Sequence, residues 1–174
     1  MSKSKFTKHL KELGIEEMRH ELIELYTKIA EVRRHYAMEL GTDKDRQRIY
    51  DKAKKDIISK YATKSIRKPR RPRIQKINII LRDLEKASIF KHEMIDIYLF
   101  DIETALVFIL KYGFYSTTLE NHIKTVFAKG LLLIQAEQLQ STYQERCEVI
   151  FKRSLYMPEI HYAIRDEYQE CYDN

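Results

Sequence analysis

A chain of 174 residues and 21.0 kDa is long enough to bury one hydrophobic core, and at 44% apolar it is too rich in core-forming residues to be disordered throughout. Four glycines and three prolines exclude collagen-like and low-complexity chains, and they are too few for the turns of an all-β sandwich or barrel. The net charge of +6 is unevenly placed: residues 1–87 hold 24 Lys+Arg against 13 Asp+Glu, a balance of +11, whereas residues 88–174 hold 8 against 13, a balance of −5. Such polarity suits a polyanionic partner for the first half, or unlike ends of two copies docking on each other.

In chain order, a short helical segment spans Ser4–Leu13 and stops at Gly14. Ile15, Met18, Leu22, Leu25, Ile29, Val32 and Tyr36 then step alternately by three and four, which predicts one amphipathic helix of six turns. Gly41 suits a left-handed cap after it, and Thr42 or Asp43 can cap the next helix, whose seam is Ile49, Ala53, Ile57 and Tyr61. From Thr63 to Arg73 the periodicity fails. Pro69 and Pro72 block helix there and hold the segment extended, making a linker. Helix returns through Ile74, Ile77, Leu81, Leu84 and Ser88.

The segment from His92 to Tyr112 is apolar on more than one face, which places it at the centre of a bundle, and Gly113 ends it. Thr117-x-x-Glu120 reads as a capping box for a helix seamed by Ile123, Phe127, Leu131 and Ile134. A further helix carries Leu139, Tyr143, Cys147 and Ile150, and Pro158 opens the last one. The expected fold is therefore all-α: about eight antiparallel helices in a bundle or short stack of helical hairpins, split by a Pro/Arg linker. Its expected parts are an N-terminal helical segment (1–62), the basic linker (63–73) and a C-terminal bundle (74–174), forming one cooperative domain overall.

Between Lys64 and Lys76 lie seven basic residues and no acidic one: Lys64, Arg67, Lys68, Arg70, Arg71, Arg73 and Lys76. Guanidinium forks suit phosphate, so this cluster is the candidate site for nucleic acid or another polyanion. A solvated basic connection, or one docked on the chain's own carboxylates, is the plainer alternative.

Asp96 and Glu103, seven apart on the most apolar helix, share a face. Two inward carboxylates need a buried cation, and Arg146, one of few cations in the C-terminal half, is the candidate partner in a structural ion pair. A metal-dependent enzyme using these carboxylates is the weaker reading. Twelve tyrosines, seven of them after residue 111, make Tyr156, Tyr162 and Tyr168 candidates for a protein interface.

The six histidines are scattered, and His92 with Asp96 supplies at most two metal ligands on one face. No P-loop, GxGxxG, GxSxG or HExxH motif is present, so no catalytic residue, metal or cofactor is expected. Cys147 and Cys171 lack CxxC spacing and read as reduced packing cysteines. No apolar run follows the N-terminus, and Asp96, Asp101 and Glu103 interrupt the stretch from Met94 to Leu110. These features imply no signal peptide, no membrane span and a cytoplasmic location.

Several short motifs stand in a suggestive order: Leu10-x-x-Leu-Gly14, Leu22-Ile23-Glu24-Leu25-Tyr26, the Pro/Arg linker, Asp96-x-x-Leu99-Phe100-x-x-Glu103, Arg146-Cys147-Glu148, then His161 and Tyr168. In this order the chain resembles a family of small bacterial all-helical proteins catalogued as a domain of unknown function. The resemblance implies the fold, a bacterial origin and a cytoplasmic location, and nothing about mechanism. The expected function is a non-enzymatic helical adaptor, acting as a homodimer on a protein partner and touching nucleic acid or a nucleoprotein complex through the linker. The alternative is a module for an acidic protein with no nucleic-acid contact.

Overall fold

The computed structural model describes residues 2–65, 67–88 and 90–172, and among them it contains nine helices and no strand. In chain order these are α1 (Lys3–Glu12), α2 (Ile15–Lys28), α3 (Ala30–Leu40), α4 (Asp43–Tyr61), α5 (Ile74–Ala87), α6 (Lys91–Tyr112), α7 (Thr117–Ala136), α8 (Gln140–Ser154) and α9 (Pro158–Tyr172). The all-α bundle follows from the apolar spacing. Helix α6 buries more than one face, with Ile95, Leu99, Ile102 and Leu106 on one and Tyr98, Ala105 and Phe108 on another, and leaves the stripe of Asp96, Phe100, Glu103 and Val107 half-buried to exposed. It is surrounded by α4, α5, α7 and α8, with α9 packed on α7 and α8.

Helix α6 ends where its C-cap, Gly113, turns to φ 61°, a left-handed conformation that costs glycine nothing and any side chain about 1 kcal/mol or more. Helix α4 begins at Thr42, whose hydroxyl accepts from the amide of Asp45 while the Asp45 carboxylate accepts from the amide of Thr42. The cap of α7 falls one residue earlier than expected. Ser116 accepts from the amide of Leu119, and Glu120 instead takes the hydroxyl of Tyr115. Gly41 is extended (φ −70°, ψ 157°) and not left-handed, because Arg46 reaches back to its carbonyl at 2.6 Å and turns the chain directly into α4.

The single six-turn helix expected from Ile15 to Tyr36 is two helices. At Ile29 the backbone is extended (φ −108°, ψ 114°), and Arg33 donates to the carbonyls of Tyr26 and Thr27 that the break leaves free. The bend brings the rings of Tyr26 and Tyr36 to 6.4 Å, where a straight helix would hold residues ten apart at about 15 Å. This break supplies the ninth helix.

Neither α1 nor α2 buries a single residue. The linker does not separate two independent halves, because α4 packs against α5 and α6 from across it.

Candidate nucleic-acid interface and neighbouring polar sites

The basic segment is not extended. It leaves α4 and enters α5 as a closed loop: the amide of Arg73 donates to the carbonyl of Lys60 at 3.1 Å, tying its two ends together. Inside the loop, Thr63 Oγ1 accepts from the amide of Arg70 at 3.0 Å and donates to the carbonyl of Ser65, while Ser65 Oγ accepts from the amide of Lys68. The prolines still remove two backbone donors, but threonine and serine hydroxyls satisfy neighbouring amides and let the chain fold back.

Lys64, Arg67, Lys68, Arg70, Arg71, Arg73 and Lys76 are all exposed. None of them has an ion pair among the described residues. Neighbouring carboxylates are used elsewhere: Glu85 on Lys129 at 2.7 Å, Glu167 on Lys124 at 3.6 Å, and Asp96 and Glu103 on Arg146. The loop opens onto the first turn of α5, which has no acidic residue to offset the partial positive charge of its free amides.

From Ile74 and Gln75, directly after Arg73, a groove of about 810 Å³ runs between α5 and α7 toward Lys129. Its walls mix polar side chains, including Asn78, Arg82, Asn121 and Thr125, with Ile74, Ile79 and Val126.

Arg146, on α8, meets both carboxylates of the α6 face. Its Nε donates to Glu103 Oε1 at 2.7 Å, its Nη1 to Asp96 Oδ1 at 2.7 Å, and its Nη2 to Glu103 Oε2 and the Asp96 carbonyl at 3.1 and 3.3 Å. Burial alone would favour the neutral guanidine, but the two carboxylates outweigh it and hold Arg146 above its ordinary value. With every guanidinium bond directed at the chain's own oxygens, this cluster is a clamp between α6 and α8.

Of the tyrosines expected to face a partner, Tyr156 and Tyr162 are 79% and 66% exposed. Tyr168 is not with them. It is buried, its ring stacked on Phe151 at 4.2 Å and 3°, because on α9 it falls on the face that also buries Ile160 and Ile164.

One polar constellation escaped the sequence reading. Asp101, fully buried in the middle of α6, has its Oδ2 bound by Nε2–H of His122 from α7 at 2.7 Å and its Oδ1 bound by the hydroxyl of Tyr61 from α4 at 3.0 Å. Burial and the adjacent carboxylate push the Tyr61 hydroxyl well above its ordinary value. The sequence carries one signal of it: Asp101 falls on the helix face of Tyr98, Ala105 and Phe108, and an aspartate on an apolar face that is covered has to be bonded. Its partners lie 40 and 21 residues away, at separations that no local pattern connects. His122 also lines the α5/α7 groove.

Among the described residues no three His, Cys, Asp or Glu side chains converge on a point that would hold a metal ion. Both cysteines are free. No helix among the described residues is long and apolar enough to cross a membrane.

The architecture defines an all-α helical-bundle protein whose one dense charged feature is a cationic loop between its fourth and fifth helices. The chain belongs to the family described as "Family of unknown function (DUF6155)", whose model matches residues 1–174. No curated protein and no solved structure matches it.

Proposed function

We propose that the protein is a non-enzymatic helical adaptor of the cytoplasm that acts as a homodimer and grips the phosphate backbone of a nucleic acid, free or within a nucleoprotein complex, through the 63–73 loop. One observation carries this reading: the seven cations of the loop and of the first turn of α5 are exposed and without an acidic partner among the described residues. Holding so many like charges in a closed loop costs repulsion, and a polyanion relieves it. The loop is stiffened by its own hydroxyl bonds, so binding orders less backbone than it would in a free linker. The α5/α7 groove, opening beside Arg73, offers a bound strand a continuation. Tyr156 and Tyr162 are left for the protein partner of the complex.

The test is fluorescence anisotropy with duplex DNA, single-stranded DNA and RNA across a salt series, for the wild type and for Arg70→Gln/Arg71→Gln/Arg73→Gln. Removing three phosphate contacts should flatten the plot of log K against log salt by about 2.7 units on duplex DNA, at roughly 0.9 per contact. Absence of binding to any nucleic acid at low salt refutes the proposal, as does a triple variant that binds with the wild-type slope. Binding of polyglutamate but of no nucleic acid would point to the acidic-protein alternative.

A further inference from the structure

Helices α1 and α2 are 10 and 14 residues long and bury nothing. Isolated helices shorter than about 12–15 residues are marginal in water, and most helical stability comes from packing an apolar face. Yet α2 has such a face. Its three-four spacing is the seam of a helix that meets another helix, and it stays open: Ile15 is 66% and Leu22 51% exposed, with Ile23 beside them at 66%. Leu40, at the end of α3, is 77% exposed beside them. Together with Tyr26 and Tyr36, Leu22, Ile23 and Leu40 line an apolar depression of about 410 Å³.

Taken with Tyr26 and Ile29, the exposed parts of these side chains equal about three and a half whole side chains, on the order of 600 Å² per copy. Pairing two copies would bury on the order of 1,200 Å² of apolar surface, which reaches the size of stable interfaces before any polar rim is counted.

Apolar area selects the partner: a second copy brings a seam of the same size to this patch, as a two-fold arrangement requires.

We infer that the α1–α3 arm is the homodimer surface, with the apolar seam of α2 packed against the same seam of a second copy. This rests on the homodimer proposed above, and not on what the loop binds. The exposed Tyr156 and Tyr162 are then free for another partner.

Sedimentation equilibrium of the full chain at roughly 10–100 µM tests it. The wild type should weigh twice the 21.0 kDa chain. Leu22→Glu/Ile23→Glu should weaken the dimer at least a hundred-fold and lower the helical circular dichroism, because the seam of α2 loses its cover; the cooperative thermal transition of the rest should survive, since neither residue is buried. Tyr156→Asp/Tyr162→Asp should leave the dimer intact.

A wild type that stays monomeric at 100 µM overturns this inference and the homodimer alike. A dimer that survives the arm variant overturns the inference alone.

Discussion

Replacing His122 with alanine removes one of the two hydrogen-bond donors that hold Asp101. The side chain is fully buried, and of its bonds to His122 at 2.7 Å and to Tyr61 at 3.0 Å only the second would remain. Leaving a buried acceptor short of a partner costs about 1–3 kcal/mol, because it cannot regain water. In a chain of this length each kcal/mol shifts the melting temperature by about 2–4 °C, so His122→Ala should melt roughly 2–12 °C lower in a thermal scan followed by circular dichroism.

Asp101→Asn should cost less, at the low end of that range, since an amide still accepts from Tyr61. The triple variant Tyr61→Phe/Asp101→Leu/His122→Leu, which strands no polar group, should recover most of the loss. If His122→Ala costs under about 1 kcal/mol, or if the triple variant is no more stable than the single one, the pair does not hold α6 to α7. The account of Asp101 as a buried, bonded group then fails.

Gly130 lies buried in α7, and a Cβ placed there would sit 3.6 Å from Tyr98 Cβ and 3.8 Å from Leu99 Cδ2, which are ordinary contacts. Gly130→Ala should therefore stabilise the protein by about 0.5–1 kcal/mol, read as an upward shift in melting temperature; a fall would show that α6 and α7 approach more closely than these distances allow. Burial pushes the Cys147 thiol up to about 11, so at pH 8 only about one in a thousand molecules carries its thiolate. Mass spectrometry after iodoacetamide treatment should find half-buried Cys171 labelled well before Cys147, and equal rates would contradict the burial.

The folded-state value of Tyr61 lies well above the 10 or so of the unfolded chain, so the stability it contributes is fully present below pH 10 and drains as pH rises beyond that. In an alkaline titration at 295 nm the Tyr61 signal should appear only with cooperative unfolding, and its appearance before unfolding would contradict the burial.

Helix existence was legible wherever the spacing alternated three and four, because burying one face of a 3.6-residue helix requires that spacing wherever the helix ends up. The Thr42 cap of α4, the glycine that ends α6 and the proline that opens α9 were legible too, since each concerns backbone groups within a turn of the residue. The α6 carboxylates could be placed on one face, and Arg146 named from the scarcity of cations nearby, for the same local reason.

The break at Ile29 had no such signature: nothing between Tyr26 and Arg33 disfavours helix. The bend is made by α3 packing on α4 and α5 while Arg33 caps α2. The loop was read correctly as cationic and wrongly as extended, because the Lys60–Arg73 bond that closes it depends on where α4 and α5 are held by the core.

What the order of amino acids determined by itself is the inventory: which stretches coil, where their ends fall, which face of each is apolar, and that the cations crowd one segment. Which apolar faces find cover was decided by tertiary packing. The seam of α4 and that of α2 look alike on paper, yet one is buried and the other is open. Packing also decided that Asp101 would meet a histidine and a tyrosine from two other helices, and that Tyr168 would turn inward while Tyr162, one helix face away, stayed out. The reason is range: hydrogen bonds within a turn and hydrophobic periodicity act over a few residues. Pairings across tens of residues exist only once the bundle has chosen which helices are neighbours.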